Sequence, residues 1–188
     1  MDQPQEHETR TTDADVAPTV FRHDQDTGEY SAAAARAVSI NRPREELYAF
    51  WREVSNLASF MENIERIDVQ DERRSHWVVK APAGTRVEWD SVITEDTPGR
   101  RIAWSSTEGS QIRNSGWVEF SDGPTGRGAE VRAFISYDPP GGDLGRTFAK
   151  VMQKEPNIQA RRDLRRFKQL METGEIATSK APDAAPRS

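Results

Sequence analysis

Between Ile64 and Asp138 the chain alternates apolar and polar residues, and this period of two restricts the fold more than any other feature. Six such segments, each roughly 6 to 11 residues long, are separated mostly by turn-forming runs such as "PAG", "DTPGR" and "SDGPTGRG". Short connections join antiparallel neighbours, so the region predicts an antiparallel meander. The alternation also predicts an apolar inner face, with Val87, Trp89, Ser91 and Ile93, and a charged outer face, with Arg86, Glu88, Asp90 and Thr94.

The segments on either side of the meander supply one more strand and the helices. "AAAARAVSI" predicts a first strand, and "NRPREELYAFW" predicts a short helix with Pro43 in its first turn. "NLASFM" predicts a second short helix, and a long helical pattern runs from Arg146 to Ile176. A strand, two short helices, six strands and a C-terminal helix make an α+β domain.

The C-terminal helical pattern contains Pro156, which predicts a break. Leu144, Phe148, Val151 and Met152 share one helical face, and Ala160, Leu164, Phe167 and Met171 share another. On one straight helix these faces would lie roughly 145° apart, so we expect a short helix, capped by Asp143, and a longer one with Pro156 early in it. The opposite arc of the longer helix carries Arg161, Arg162, Arg165, Arg166 and Lys168. We interpret this arc as a solvated face rather than a surface for nucleic acid or anionic membranes.

Composition sets the expected domain limits. The chain is polar for a single globule, with 30% charged residues and a mean hydropathy of −0.83. We therefore expect disordered tails at residues 1–31 and 177–188 and one folded domain at 32–176. There is no cysteine, which excludes disulfides and cysteine metal sites and is neutral about compartment. There is no apolar run of membrane-spanning length and no signal-peptide pattern, so a cytoplasmic protein is expected. The net charge of −5 argues against a nucleic-acid partner.

The order of these segments resembles a known superfamily. "VSINRPREELYAFWREVSNLASFMENIERI", "RVEWDSVITEDTPGRRIAWSS" and "EPNIQARRDLRRFKQLMETGEI" are similar to START-like (SRPBCC) proteins, in particular bacterial polyketide cyclase/dehydrase and coenzyme Q-binding members. The resemblance implies a helix-grip fold, in which a curved antiparallel sheet of about seven strands wraps around a long C-terminal helix. It also implies a cavity between sheet and helix. Members of the superfamily bind lipids, sterols, quinones, polyketides or plant hormones, and some are enzymes.

We combine the strand alternation with this resemblance to predict the residues of a ligand site. Apolar walls with a few placed polar groups suit a small molecule, although a filled core would show the same pattern. The sheet would contribute Trp77, Trp89, Ser91, Trp104, Asn114, Val118 and Tyr137. The helices would contribute Phe60, Met61, Leu164 and Phe167, with Phe148 and Met152 near the entrance. No catalytic residue, metal ligand or cofactor is predicted.

Several other groups have simpler interpretations. Glu88 and Asp90 share a strand face and could bind a cation, but a charge ladder with Arg86 and Arg101 is favoured. His76 falls on the outer face, and one histidine without cysteine does not make a usual zinc site. "GPTGRG" predicts a hairpin turn rather than a phosphate loop. "DPPGGDLG" (Asp138–Gly145) is interpreted as a stiff connector, although family members often gate their cavity there.

Three functions remain open from the sequence. The first is non-catalytic binding of a hydrophobic quinone, polyketide or lipid-like molecule, oriented by Ser91, Asn114 or Tyr137. The second is a cyclase or dehydratase, with Tyr137 as its best acid or base, since the alternation turns no strand carboxylate inward. The third is a protein-interaction module: Trp117 and Phe134 break the pattern on the outer face, where Arg132 could stack on Trp117 and the two rings could join a homodimer.

Overall fold

Seven antiparallel strands form one curled sheet in the order β1-β7-β6-β5-β4-β3-β2. The structure is a computed structural model that describes residues 32–80, 84, 86–110, 112–138 and 156–176. The strands are β1 Ala32–Ile40, β2 Ile64–Val69, β3 Arg74–Lys80, β4 Arg86–Thr97, β5 Arg101–Ser106, β6 Arg113–Asp122 and β7 Ala129–Asp138. The predicted first strand and all six predicted meander strands are confirmed.

Two short helical elements follow β1, as predicted. Helix α1 (Arg44–Arg52) buries Leu47 and Trp51, and a 3-10 helix (Val54–Ser59) buries Leu57. Pro43 lies at the N-cap position rather than inside the first turn, which corrects that prediction. Its carbonyl accepts hydrogen bonds from the backbone N–H groups of Glu46 and Leu47, so the helix begins after it.

The C-terminal helix, α2 (Pro156–Thr173), begins at the proline that was predicted to start it. Its predicted apolar face is buried, and Arg161, Arg162 and Arg165 are exposed on the opposite arc. The end of α2 is tied to the sheet because Arg42 Nε donates to the Met171 carbonyl at 2.7 Å. The predicted short helix before Pro156, with its Asp143 cap, the connector residues 139–145 and both predicted tails lie outside the described residues.

The sheet has the two faces that the alternation predicts. Val87, Trp89, Ser91 and Ile93 of β4 are buried, whereas Arg86, Glu88 and Thr94 are exposed. The register between β4 and β5 shifts between Ile93 and Glu95, after the segment that carries the inward residues. The predicted hairpin between β6 and β7 is confirmed, with a 3-10 turn at Pro124–Gly126.

An aromatic cluster joins α1 and α2 beneath the sheet. The Trp51 ring lies 5.4 Å from Phe60 and 5.1 Å from Phe167, and Phe60 lies 5.0 Å from Phe167, measured between ring centroids. Phe60 and Phe167 have no exposed surface. This packed cluster fills one end of the space between helix and sheet and leaves the other end for the site.

Candidate functional site

A cavity lies between the inner face of the sheet and the helices, next to the aromatic cluster. Its volume, counted as the space open to the centre of a water-sized sphere, is about 60 Å³. Its walls are mostly apolar: Trp51, Val54, Leu57, Met61, Ile64, Trp77, Val79, Trp89, Ile93, Ile102, Trp104 and Ile135. The polar residues among them are Asn63, Ser75, Ser91, Asn114, Tyr137, Gln159 and Asp163. An apolar enclosure with a few polar groups is the usual composition of a small-molecule site.

Three tryptophans form the sheet wall of the cavity, one each on β3, β4 and β5. Trp77 and Trp89 are cross-strand partners whose rings stack with centroids 5.8 Å apart and planes 16° apart. Trp104 lies against Gly116, where a Cβ would come within 2.6 Å of the indole ring. The absence of a side chain at Gly116 therefore lets Trp104 lie close to β6.

The indole N–H groups of these tryptophans differ in their hydrogen bonding. Trp77 Nε1 donates to Ser75 Oγ at 2.9 Å, and Trp104 Nε1 donates to Asn114 Oδ1 at 3.0 Å. Trp89 Nε1 is buried and has no hydrogen-bond partner within the described part of the chain. A buried donor without a partner costs about 1–3 kcal/mol of folding free energy.

Asn114 organises the polar end of the sheet wall. Besides accepting from Trp104, it donates through Nδ2 to the Ser136 carbonyl at 3.3 Å and through its backbone N–H to Ser106 Oγ at 3.1 Å. Ser91 Oγ donates to the Ser105 carbonyl at 3.4 Å. Two of the three polar side chains predicted to orient a ligand, Ser91 and Asn114, thus have partners in the protein.

Helix α2 places a carboxyl group in the cavity wall. Burial raises the pKa of Asp163 to about 7, although a hydrogen bond from the Glu62 backbone N–H and one from Gln159 Nε2 at 2.9 Å favour the carboxylate. Burial, followed by the negative charge of Asp163, raises the pKa of the nearby Tyr137 hydroxyl. An acid that changes protonation near neutral pH can donate or accept a proton under ordinary conditions.

The structure sorts the predicted site residues into three groups. Met61, Trp77, Trp89, Ser91, Trp104, Asn114 and Tyr137 line the cavity. Phe60, Val118, Leu164 and Phe167 are buried in the core beside it and are not among the residues that line it. Phe148 and Met152 lie outside the described residues.

Sequence reasoning missed Asp163, Gln159, Ser75 and Asn63. At about 100° per residue, Asp163 lies roughly 60° from Ala160 and so at the edge of the apolar arc of α2. It is the one acidic residue between Arg161 and Lys168. This position could have identified Asp163 as a candidate site residue. Ser75 could also have been identified, because it is on the same strand face as Trp77.

A second, polar concavity adjoins the first at Asn114. It is open, with a volume of about 650 Å³ by the same measure, and lies around the β5–β6 connection. Hydroxyl groups dominate its described lining: Ser105, Ser106, Thr107, Ser110, Ser115 and Ser136. Asn114 lines both spaces, so the apolar cavity has a polar neighbour on this side.

On the outer face, the predicted partners of two charged residues are corrected. His76 is on this face as predicted, but it contacts the acidic pair: Nδ1 lies 2.9 Å from Asp90 Oδ1, and Nε2 lies 3.5 Å from Glu88 Oε2. Arg86 pairs with Glu65, and Arg101 pairs with Glu95 and Glu119. The arginines have different partners from those predicted because β2, β4 and β6 place Glu65, Glu95 and Glu119 nearer to them. No group of residues in the described ranges has the arrangement of a metal site.

The predicted contact between Trp117 and Phe134 is confirmed, although they are direct cross-strand partners rather than diagonal ones. Their rings stack with centroids 5.9 Å apart. The guanidinium over Trp117 belongs to Arg101, at 4.6 Å from the ring centroid, and not to Arg132, which pairs with Glu130. Ala103, directly opposite Trp117, is on the same strand face as Arg101, and this brings Arg101 to the indole.

The described helices include none that is both long and apolar enough to cross a membrane. Comparison with known proteins agrees with the fold. An uncharacterised 17.2 kDa protein of Streptomyces lincolnensis is 31% identical over 84 residues, which cover 45% of this chain. The match spans only 55% of the length of that relative.

Solved structures give broader coverage. A Deinococcus radiodurans protein superposes with a TM-score of 0.63 and 39% identity over 77% of this chain and 100% of its own. The Zhui aromatase/cyclase of a Streptomyces species superposes with a TM-score of 0.58 and 14% identity over 78% of this chain and 99% of its own, which shows a shared fold. The family model described as polyketide cyclase/dehydrase and lipid transport matches residues 40–165. The chain belongs to this polyketide cyclase/dehydrase and lipid transport family, within the START-like superfamily.

Proposed function

We propose that this protein binds an apolar, ring-containing small molecule, of the quinone, polyketide or lipid-like kind, in the cavity between the sheet and α2. The observation that carries the proposal is the lining of the cavity: four indole rings and several aliphatic side chains surround a space with few polar atoms. Burial of apolar surface would drive binding at about 25 cal/mol per Å². The family description, which joins cyclases with lipid transport, supports a ligand of this type.

The size of the cavity sets a condition on binding. A space of about 60 Å³ holds a few water molecules, since one water needs roughly 10–15 Å³ by this measure. A ring-sized ligand must therefore displace side chains. Met61, Trp77, Trp104 and Tyr137 are among the lining residues that are only partly buried and so have room to move.

The first test is mass spectrometry of protein purified without detergent, in the native state and after solvent extraction. A stoichiometric apolar compound is expected. Met61→Phe fills the cavity and should remove that compound, whereas Val69→Phe adds the same ring at a site that is 52% exposed and should not. If the extract is empty and small aromatic probes do not bind at concentrations up to their solubility, the proposal is wrong.

A cyclase or dehydratase is the second candidate, and Asp163 is the observation that favours it. A cyclisation followed by loss of water needs a base to take a proton next to a carbonyl and an acid to protonate the departing hydroxyl. A carboxyl with a pKa of about 7 can do both in turn, and Tyr137 could hold the carbonyl by a hydrogen bond. The Zhui protein, named as an aromatase/cyclase, has the same fold.

This second function is tested with a poly-β-ketone thioester analogue, by following the absorbance of the cyclised aromatic product. Asp163→Asn should abolish turnover but retain binding, and Tyr137→Phe should slow it. A wild-type rate equal to the uncatalysed rate would reject the enzyme and leave the binding function intact. A role as an interaction module through Trp117 and Phe134 stays a prediction, with its own test below.

A further inference from the structure

The three tryptophans of the sheet wall form an internal comparison. They occupy neighbouring strands and line one cavity, yet Trp77 and Trp104 donate their indole N–H to the protein and Trp89 does not. An indole N–H can only donate. Trp89 therefore presents a donor that no described residue accepts.

We propose that Trp89 Nε1 binds an acceptor oxygen of the ligand, so that the preferred ligands are ring compounds carrying a carbonyl group, such as an aryl ketone, a quinone or an aromatic ester. This inference rests on the proposed binding function. It narrows that function from an apolar ligand to one with a hydrogen-bond acceptor on its ring or next to it.

Three other polar side chains of the sheet wall already have partners within the protein. Ser75 Oγ accepts from Trp77, Ser91 Oγ donates to the Ser105 carbonyl, and Asn114 is bonded through its side-chain oxygen and nitrogen. A ligand carbonyl finds the donor of Trp89.

The stacking of Trp77 on Trp89 gives the route of access. Trp89 is only 5% exposed and its Nε1 is out of reach of solvent, whereas Trp77 is partly exposed. The cavity has to open to admit a ring, and because Trp77 stacks on Trp89 at 5.8 Å, movement of Trp77 away from this position would enlarge the space beside Trp89.

The experiment compares two probes of nearly the same shape, acetophenone and α-methylstyrene, in which a carbonyl oxygen replaces a methylene group. Affinities are measured by titration of ¹⁵N-labelled protein, with the indole N–H signals as reporters. Acetophenone should bind about tenfold more tightly, the value of one hydrogen bond to a previously unpaired donor. The Trp89 indole proton should move downfield with acetophenone only, while the indole shifts of Trp77 and Trp104 should differ little between the probes.

Trp89→Phe assigns the Trp89 signal and should reduce the preference for acetophenone to about one. Trp117→Phe, which changes an indole outside the cavity, should keep both the affinities and the preference. If Trp89→Phe does not fold, the Trp89 signal is assigned by elimination with Trp→Phe variants of the other four tryptophans, and its shift in the natural protein decides the question.

The possible results distinguish this inference from the proposed binding of an apolar ligand. Equal binding of both probes, without a selective shift at Trp89, overturns the inference and leaves apolar binding standing. A preference for acetophenone that persists in Trp89→Phe also overturns it, because another donor must then be responsible. Failure of both probes to bind rejects the inference together with the proposed function.

Discussion

Gln159 and Asp163 lie one turn apart on α2, and the Gln159 amide donates a hydrogen bond to Asp163 Oδ1 at 2.9 Å. Arg166, nearly one helical turn beyond Asp163, is 3.6 Å from the Glu62 carboxylate. Asp163 is thus held by an uncharged amide and a backbone N–H rather than by a close ion pair. Burial outweighs these contacts, and the carboxyl keeps its proton up to neutral pH.

The first prediction concerns the pH dependence of stability. The pKa of Asp163 rises from 3.8 to about 7 on folding, so between these values the folded state binds more protons than the unfolded state. Asp163 therefore contributes its full stabilisation to the free energy of unfolding below pH 4. This stabilisation, up to about 4 kcal/mol, is lost as pH rises through 7. In Asp163→Asn this loss should be absent. Urea unfolding at a series of pH values measures it.

The control for this prediction is Asp122→Asn, which removes a negative charge from a side chain that is 74% exposed. It should not reproduce the effect of Asp163→Asn. A carbon-13 titration of the Asp163 carboxyl gives the pKa directly, and a midpoint near 4 would show that the group is solvated and would remove the basis for its catalytic role.

Much of the fold could be predicted because strand parity is a local property. The alternation in β4 placed Trp89 and Ser91 inside and Glu88 outside without knowledge of the neighbouring strands. Pro156 marked the beginning of α2 because proline has no N–H to donate and is tolerated in the first helical turn. The partners of His76 and Arg101 could not be predicted in the same way, because they depend on the register between strands.

The site was less predictable than the fold, because the sequence gives the face of a residue but not its depth along the helix. Leu164 and Phe167 are on the buried face of α2, which points toward the cavity. They nevertheless pack in the core beside the cavity and do not line it. Asp163 lies at the edge of that face, where the arginines around it suggested solvent. Only the packing of α2 against the segment around Glu62 shows that this edge is buried.

A second prediction concerns Gly116. A Cβ at this position would lie 2.5 Å from the Phe134 carbonyl oxygen and 2.6 Å from the Trp104 ring, so Gly116→Ala must displace backbone or indole. We expect a loss of about 1–3 kcal/mol in stability and a changed near-ultraviolet circular dichroism spectrum as Trp104 moves. Gly109→Ala, at φ +83° with open space around it, should cost stability through the backbone alone and leave the spectrum as it is. An unchanged spectrum in Gly116→Ala would contradict the close packing of Trp104.

A third prediction separates the core from the cavity. Leu164→Ala creates a void in the packed core and should cost about 2–5 kcal/mol, with little change in the affinity for a small aromatic probe. Met61→Ala removes a partly buried side chain from the cavity wall, so it should cost less stability and increase affinity for probes larger than one ring. Denaturation and probe titration on the same samples measure both effects. The opposite pattern would place Leu164 in the ligand site.

The last prediction concerns the outer face of the sheet, where Trp117 and Phe134 stack and Arg101 covers the indole at 4.6 Å. If two copies associate through this pair, sedimentation velocity should show a sedimentation coefficient that increases with concentration, and Trp117→Thr should abolish that increase. Threonine keeps the strand propensity of the position, so the sheet should remain intact. Val69→Thr removes an exposed apolar side chain from β2, the edge strand farther from Trp117 and Phe134, and should leave association unchanged. A single, concentration-independent monomer would instead assign the stacked pair to packing within the sheet, because Arg101, held by Glu95 and Glu119, already shields one face of the indole.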